Sequence, residues 1–235
     1  MRTSEKERPE FDQYAHSYAE LIDDPIRNRF AHDPLHFHRR KWLLIDRLLK
    51  RAGVTARIQR WLDVGCGRGE LLELAGNNFA QAIGCDPSGS MLSSSATFSM
   101  HEQPSLVELP FGDRSVDFVT AVCVYHHVHG SARTLLTSEI RRVLTPGGLC
   151  CVIEHNPWNP VTRAIVWRCS VDVDAELLTS RKASVLLQAA GFESLSTDYF
   201  LYFPEQLFNR LSSMERMLCK VPFGGQYALL AQAPA

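Results

Sequence analysis

The stretch Trp61-Leu62-Asp63-Val64-Gly65-Cys66-Gly67-Arg68-Gly69-Glu70 decides the fold. The apolar run that ends at Val64 predicts a β-strand, and the run that begins at Glu70 has the pattern of a helix. Three glycines at alternate positions join the two elements. Glycine tolerates positive φ and lets another group approach the backbone closely, so this loop offers free N–H groups at a helix N-terminus to a ligand.

The spacing of the glycines limits which ligand the loop serves. The dinucleotide fingerprint G-x-G-x-x-G, begun at Gly65, requires its third glycine at position 70. That position holds Glu70, and the third glycine is Gly69. The spacing therefore counts against a nicotinamide-dependent oxidoreductase, which stays the less favoured alternative.

Asp86 is a second candidate for ligand binding. It follows the strand-like run 80–85 and lies about twenty residues beyond the glycine loop, where nucleotide-binding sheets place a carboxylate on the ribose hydroxyls. A carboxylate accepts two hydroxyl hydrogen bonds at once, so the residue type suits that contact.

Strand-like runs alternate with helical runs along the chain and predict an α/β sheet with helices on both faces. The predicted strands are residues 58–64, 80–85, 105–108, 119–124, 149–154, 192–203 and 226–231. No internal repeat or low-complexity linker divides the chain, so we expect a single domain spanning residues 1–235.

Further motifs follow the glycine loop in a fixed order. They are Asp86-Pro87-Ser88 with Met91-Leu92, then Leu109-Pro110-Phe111 with Asp117-Phe118, and then Leu144-Thr145-Pro146-Gly147-Gly148. From Trp61 to Glu154 the chain resembles class I S-adenosylmethionine (SAM)-dependent methyltransferases of the small-molecule type. The resemblance implies a Rossmann-like sheet of seven strands whose last strand is antiparallel. It also implies methyl transfer from SAM to an acceptor by in-line displacement.

The resemblance implies a set of residues that contact SAM or its product S-adenosylhomocysteine. They are Tyr14, Asp63, Gly65, Cys66, Gly67, Asp86, Pro87, Met91, Ser105, Leu106 and Cys123. Relatives usually carry an acidic residue at the position of Ser105, where it bonds the adenine amino group. Here the serine hydroxyl or the backbone at Leu106 is left for that contact.

Three histidines in Tyr125-His126-His127-Val128-His129 close the fourth predicted strand, at the carboxyl edge where open α/β sheets bind ligands. Methyl transfer mainly needs alignment of the acceptor and exclusion of water, but a hydroxyl acceptor also benefits from a base. His127 ranks first for that role by position. The other candidates are His126, Glu154, His155 and Tyr14.

The N-terminal part has two open interpretations. Apolar and aromatic residues recur at helical spacing over 11–22, which predicts a helix that carries Tyr14 and Tyr18 on one face. That helix forms either a plain core stripe or, as in similar methyltransferases, part of a lid of about residues 10–52. The basic cluster 39–41 is either a solvated face or a site for the cofactor carboxylate.

Composition narrows the class of partner. The formal net charge of the 235 residues is −1, so no basic field indicates nucleic acid, and a small-molecule acceptor is favoured. No apolar run approaches the length of a membrane span, and the seven cysteines form no C-x-x-C pair, which favours a reduced, cytoplasmic protein. Ligand spacing for zinc is missing, so we expect no metal. A SAM-binding regulator without catalysis stays an alternative.

Overall fold

The computed structural model describes residues 10–33, 35–92 and 97–235. Within these residues seven strands form one sheet in the order β3-β2-β1-β4-β5-β7-β6. The strands are β1 Arg60–Val64, β2 Gln81–Asp86, β3 Ser99–Glu102, β4 Val116–Val122, β5 Leu144–His155, β6 Glu193–Phe200 and β7 Gln226–Gln232. The pairs among β1 to β5 are parallel, and β7 is antiparallel to both of its neighbours. The predicted sheet with an antiparallel last strand is confirmed.

The helices of the described residues lie mainly between consecutive strands. They are α1 Tyr18–Leu21, α2 Pro25–Phe30, α3 His36–Arg51, α4 Glu70–Ala75, α5 Gly89–Leu92, α6 Ser131–Val143, α7 Pro160–Arg168, α8 Ser180–Ala189 and α9 Glu205–Leu218. Each is too short or too polar to cross a bilayer.

The core occupies both faces of the sheet. Leu136 and Ile140 of α6 and Leu187 of α8 belong to one buried cluster. A second cluster contains Leu44, Ile45, Leu48 and Leu49 of α3, with Leu71 and Leu72 of α4. The amphipathic spacing of α3 and α6 produces these stripes, and helices on both faces are confirmed.

The strand order positions the site. β1 pairs with β2 on one side and with β4 on the other, so the chain direction across the sheet reverses between β1 and β4. Open α/β sheets bind ligands at such a switch point, beyond the carboxyl ends of the strands. The glycine loop, Asp86 and the 3₁₀ turn Tyr125–His127 all lie at that edge.

The third strand was predicted wrongly. β3 is Ser99–Glu102, which pairs with Ile83–Asp86 of β2, whereas Ser105 and Glu108 form one isolated antiparallel bridge. The edge strand β3 is largely exposed and reads Ser-Met-His-Glu, so it lacks the apolar run by which strands are recognised. The apolar residues at 106 and 107 misled the prediction.

The N-terminal helix is also corrected. Residues Glu10–Gln13 form a 3₁₀ turn, and α1 covers only Tyr18–Leu21, so Tyr14 and Tyr18 do not share one helix. The segment that follows contains α2, whose N-terminus is capped by the Asp24 carboxylate, which accepts from the amides of Ile26 and Arg27 at 2.7 and 3.1 Å. Since the buried stripe of α3 belongs to the core, we restrict the lid below to residues 10–23.

Candidate active site

The glycine loop turns sharply at the end of β1. The amides of Gly65 and Cys66 both donate to the carbonyl of Cys85 at the end of β2, at 2.8 and 3.0 Å. Gly65 has φ 67°, and a Cβ placed there would lie 2.5 Å from Cγ2 of Val124. Gly67 has φ 54°. Only glycine tolerates both the positive φ and the close approach of Val124 at position 65 without strain. Gly65 therefore allows the sharp turn of the loop at the switch point.

Asp86 is held from two sides. Its Oδ2 accepts from the Gly67 amide and its Oδ1 from the Ser88 amide, both at 2.9 Å. Burial raises the pKa of this carboxyl to about 6, although the hydrogen bonds from the two N–H groups lower it. The charge of Asp12 raises it further. Each carboxylate oxygen keeps a lone pair, so the two oxygens fit the two hydroxyls of a ribose.

Asp63 lies beneath the loop and is buried. Its Oδ1 accepts from the Thr120 hydroxyl at 2.5 Å, and Thr120 accepts from Nε1 of Trp61 at 2.8 Å. Burial raises the pKa of Asp63 to about 7, although the Thr120 hydroxyl and Lys41 oppose the rise. This carboxyl therefore ties β1 to β4 under the cofactor side of the cleft.

Cys123, at the end of β4, has an unusual environment. Its φ is 59°, its Sγ lies 3.8 Å from Nζ of Lys41, and Nε2 of Gln226 lies 3.4 Å from the same sulfur. Burial opposes ionisation of the thiol, but Lys41 and His155 outweigh it and lower the pKa to about 7. Lys41 is only 8% exposed. Of the two readings of the basic cluster, the solvated face is therefore wrong for Lys41.

The other predicted contacts lie around the loop. Met91 Cε lies 3.6 Å from where a Cβ on Gly67 would be. The Cys66 thiol lies 3.8 Å from both the Gly67 carbonyl and the sulfur of Met100. Pro87 lies between Asp86 and Ser88 in the chain. Ser105 and Leu106 are exposed. The Ser105 carbonyl accepts from Nε2 of buried Gln103 at 3.4 Å, and the backbone amide of Gln103 donates to the Asp86 carbonyl at 2.9 Å.

Buried carboxylates and histidines meet at the carboxyl ends of β4 and β5. Oε1 of Glu154 accepts from the amides of Val124 and Tyr125 at 2.9 and 2.7 Å, and Oε2 lies 2.6 Å from Nδ1 of His126. Burial opposes the charge on His126, but Glu154 and Asp172 raise its pKa to about 10. We call His126, His127, Glu154 and Asp172 the histidine–carboxylate cluster.

Asp172 completes this cluster from the loop after α7. Its Oδ1 lies 3.3 Å from Nε2 of His127 and 3.6 Å from Nε2 of His126. Burial works against its charge, yet hydrogen bonds from both histidines hold its pKa far below the usual range. Sequence reasoning missed Asp172, because no periodicity or spacing links the 3₁₀ turn Ser170–Asp172 to the histidine turn.

The N-terminal segment 10–23 covers both halves of the cleft. The ring of Phe11 packs edge-on against His127 with 4.9 Å between centroids. Asp12 accepts from the Ser88 hydroxyl at 2.6 Å, beside Asp86. The ring of Tyr18 packs on Phe11 with 6.4 Å between centroids, and burial raises the pKa of its phenol, with Glu70, Cys123 and Asp172 raising it further. Tyr14 packs on Phe11 at 6.0 Å.

A cavity of about 460 Å³ lies elsewhere, between α3 and α9. Arg40, Arg47, Arg216 and Phe208 are among the residues that line it, and none of its lining residues belongs to the glycine loop or the histidine turn. It is separate from the cleft.

Comparisons with known proteins agree with this geometry. Residues 62–152 match the model of a methyltransferase domain family, and no curated protein matches the chain. The match places residues 62–152 in a region similar to that methyltransferase domain family. The fold is that of class I SAM-dependent methyltransferases.

Three solved structures show the same fold at low sequence identity. One is a Thermotoga maritima SAM-dependent methyltransferase described as a possible histamine N-methyltransferase, with 18% identity, 94% of this chain and 97% of that chain covered, and a TM-score of 0.66. The second is a complex between the Haloferax volcanii Trm112 methyltransferase activator and a methyltransferase. It has 18% identity, 97% of this chain and 99% of that chain covered, and a TM-score of 0.64. The third is Haemonchus contortus phosphoethanolamine N-methyltransferase 2 with SAM. It has 19% identity, 95% of this chain and 57% of that chain covered, and a TM-score of 0.60.

Proposed function

We propose that the chain methylates a small-molecule acceptor that binds between the N-terminal segment and the histidine–carboxylate cluster. The observation that carries this proposal is the enclosure of the acceptor side. The side chains of His127 and Asp172 are 16% and 11% exposed, and Phe11 covers His127. A nucleic-acid strand needs an open, basic groove, whereas an enclosed pair of polar groups suits a small acceptor.

The cofactor half of the cleft fits SAM. Asp86 offers two carboxylate oxygens to the ribose hydroxyls, and the positive-φ loop at Gly65 and Gly67 lets a ligand approach the backbone. Met91 beside Gly67 offers an apolar surface to the adenine. When bound, SAM supplies a methyl group on a cationic sulfur, which leaves as a neutral thioether.

The acceptor half contains the groups that act on the nucleophile. We assign this task to His127, held by Asp172 at 3.3 Å, so that the ring keeps one orientation. Phe11 packs against His127 and Tyr18 packs on Phe11, and these rings exclude water from the side of the cleft at His127. Since each group is fixed by a neighbour, the acceptor meets a preorganised surface.

Two of the structurally similar proteins provide information about the class of acceptor. The Haemonchus contortus enzyme is a phosphoethanolamine N-methyltransferase and so acts on a small molecule, which supports the proposal. The Haloferax volcanii complex contains a protein activator, so a protein partner is the outcome against which the small acceptor must be tested.

The cysteines support the expected reducing, cytoplasmic setting. All seven are free thiols, including the adjacent pair Cys150 and Cys151 in β5. Small secreted domains usually oxidise such thiols to disulfides. We keep this location as part of the proposal.

The test is an acceptor screen with the purified chain and SAM, read as S-adenosylhomocysteine formed. Small hydroxyl, thiol and amine compounds are compared with transfer RNA and with protein extracts. We expect product with small molecules, and at least a tenfold loss of rate in His127→Gln. Transfer to RNA or protein alone would overturn the proposal. Tight SAM binding without any methyl transfer would favour the alternative, a SAM-binding regulator without catalysis.

A further inference from the structure

Among the described residues, neither carboxylate of the cluster forms an ion pair with an arginine or a lysine. Glu154 is 0% exposed and the Asp172 side chain 11%. Within the described chain, the ion-pair partners within 4.0 Å are His126 for Glu154 and both His126 and His127 for Asp172. A buried carboxylate needs a nearby positive charge. The cluster therefore gains that charge either by taking up protons or by holding a cation.

The ligand atoms converge at cation distance. His126, His127 and Asp172 each offer one ligand atom, and these three atoms lie within 4.8 Å of one another. Nε2 of His126 and Nε2 of His127 lie 3.6 and 3.3 Å from Oδ1 of Asp172. A tetrahedral cation with bonds of about 2.0–2.2 Å separates its ligand atoms by about 3.4 Å. Both measured separations agree with that value.

The supporting contacts also match a metal centre. Metal-ligating histidines usually donate their other ring N–H to a carboxylate, which fixes the ring. Oε2 of Glu154 lies 2.6 Å from Nδ1 of His126, as such a hydrogen bond requires. Oε1 of Glu154 accepts from two backbone amides, which fix the carboxylate. Two carboxylates with neutral imidazoles balance the charge of one divalent cation.

We propose that His126, His127 and Asp172 bind a divalent first-row transition cation, with Zn²⁺ as the representative case and one position open to a hydroxyl of the acceptor. Two histidines and one carboxylate with an open position are typical of catalytic zinc centres. This inference rests on the proposed function and replaces the expectation of a metal-free protein. That expectation depended on sequence spacing, which could not include Asp172.

A cation there explains what His127 does to the acceptor. A hydroxyl bound to a divalent cation loses its proton to water more readily than a free one, because the cation stabilises the resulting anion. The proposal therefore names the acceptor class as a hydroxyl compound. His127 then acts on it through the cation.

The experiment titrates the full-length, chelator-treated protein with Zn²⁺ in competition with a chromogenic chelator. We expect one equivalent to bind, with affinity reduced at least about 100-fold in Asp172→Asn and in His127→Gln. Glu154→Gln removes the carboxylate that supports His126 but keeps an oxygen for the amides of Val124 and Tyr125, and it should weaken binding about 10- to 100-fold. The matched control is His129→Ala, because His129 follows in the same stretch but is 48% exposed beside Glu176. It should bind Zn²⁺ like the wild type.

Three readouts keep the outcomes separate. Melting curves and S-adenosylhomocysteine binding show that each variant is folded, and the spectrum with Co²⁺ distinguishes nitrogen and oxygen ligands from cysteine. Equal Zn²⁺ affinity in wild type, Asp172→Asn and His127→Gln, or thiolate ligands, would overturn the inference. So would undiminished methyl transfer after chelation, which would leave the proposed function standing with a histidine–aspartate proton relay. Absence of S-adenosylhomocysteine binding would instead overturn the proposed function.

Discussion

The amide nitrogen of Gly67 lies 2.9 Å from Oδ2 of Asp86, so the glycine loop after β1 is hydrogen-bonded to the end of β2. Ser88 holds the other carboxylate oxygen at the same distance. The carboxylate is thus fixed before a ligand arrives, and binding does not have to order it. Preorganisation of this kind makes a single residue important for affinity.

Replacing Asp86 by alanine should weaken the binding of S-adenosylhomocysteine by about 2–3 kcal/mol, the range for hydrogen bonds to a charged group. The variant should stay folded, since the residue ends a strand at the edge of the cleft. Isothermal titration calorimetry measures the loss. Asp113→Ala is the control, because Asp113 is 74% exposed and pairs with Arg142 outside the cleft, so a small effect is expected. Unchanged affinity in folded Asp86→Ala would place the ribose elsewhere.

The affinity for S-adenosylhomocysteine should depend on pH through the same carboxyl. Ribose hydroxyls donate to the ionised form, and burial raises the pKa of Asp86 to about 6. Affinity should therefore be constant above about pH 7 and decline below pH 6, approaching a tenfold loss per pH unit. The raised pKa acts on stability with the opposite sign. The folded protein binds the proton more tightly than the unfolded chain. The contribution of Asp86 to the free energy of unfolding therefore falls as the pH rises from about 4 to about 6.

Asp63 must be separated from Asp86 in that experiment, because its pKa of about 7 lies in the same range. Asp63→Asn keeps an oxygen for the Thr120 hydroxyl and removes the titration. If Asp86 controls binding, the pH profile persists in this variant. A profile that disappears would assign the titration to Asp63.

The two glycines of the loop should differ in their tolerance of a side chain. Gly65→Ala combines a left-handed φ with a Cβ 2.5 Å from Cγ2 of Val124, so we expect a loss of about 2–4 kcal/mol in the free energy of unfolding. At Gly67 the Cβ would meet Met91 at an ordinary 3.6 Å, and only the backbone cost of about 1–2 kcal/mol applies. Denaturant unfolding measures both. Adding Val124→Ala should recover part of the Gly65→Ala loss, and equal losses at both glycines would contradict the contact argument.

The sequence predicted the parts of the site that local patterns encode. The glycine loop follows an apolar strand and precedes a helix, and Asp86 ends the next strand, so their meeting follows from parallel topology. Asp172 could not be predicted, because its position depends on how the chain after α7 packs onto the histidine turn. The contact of Lys41 with Cys123 is likewise a tertiary contact, made by one residue of a helix with three consecutive basic residues. The exposed edge strand β3 carries no apolar signal.

The N-terminal segment 10–23 should act as a lid. Phe11 packs on His127, Asp12 accepts from Ser88 beside Asp86, and Tyr18 packs on Phe11. These contacts cover the cofactor half and the acceptor half together, so ligand exchange requires the segment to move. Lids of this kind admit the ligand and then exclude water.

Hydrogen exchange tests this movement. Adding S-adenosylhomocysteine should slow exchange in residues 10–23 and change the sheet little. Deleting residues 1–23 should weaken cofactor binding at least tenfold and lower the melting temperature of the apo protein only slightly, because α3 and the strands hold the core. Phe11→Ala should reproduce part of the loss, whereas Asp23→Ala, which contacts Asn28 outside the cleft, should not. The lid proposal fails if exchange in this segment is already slow without ligand and the deletion unfolds the protein, since the segment would then belong to the core.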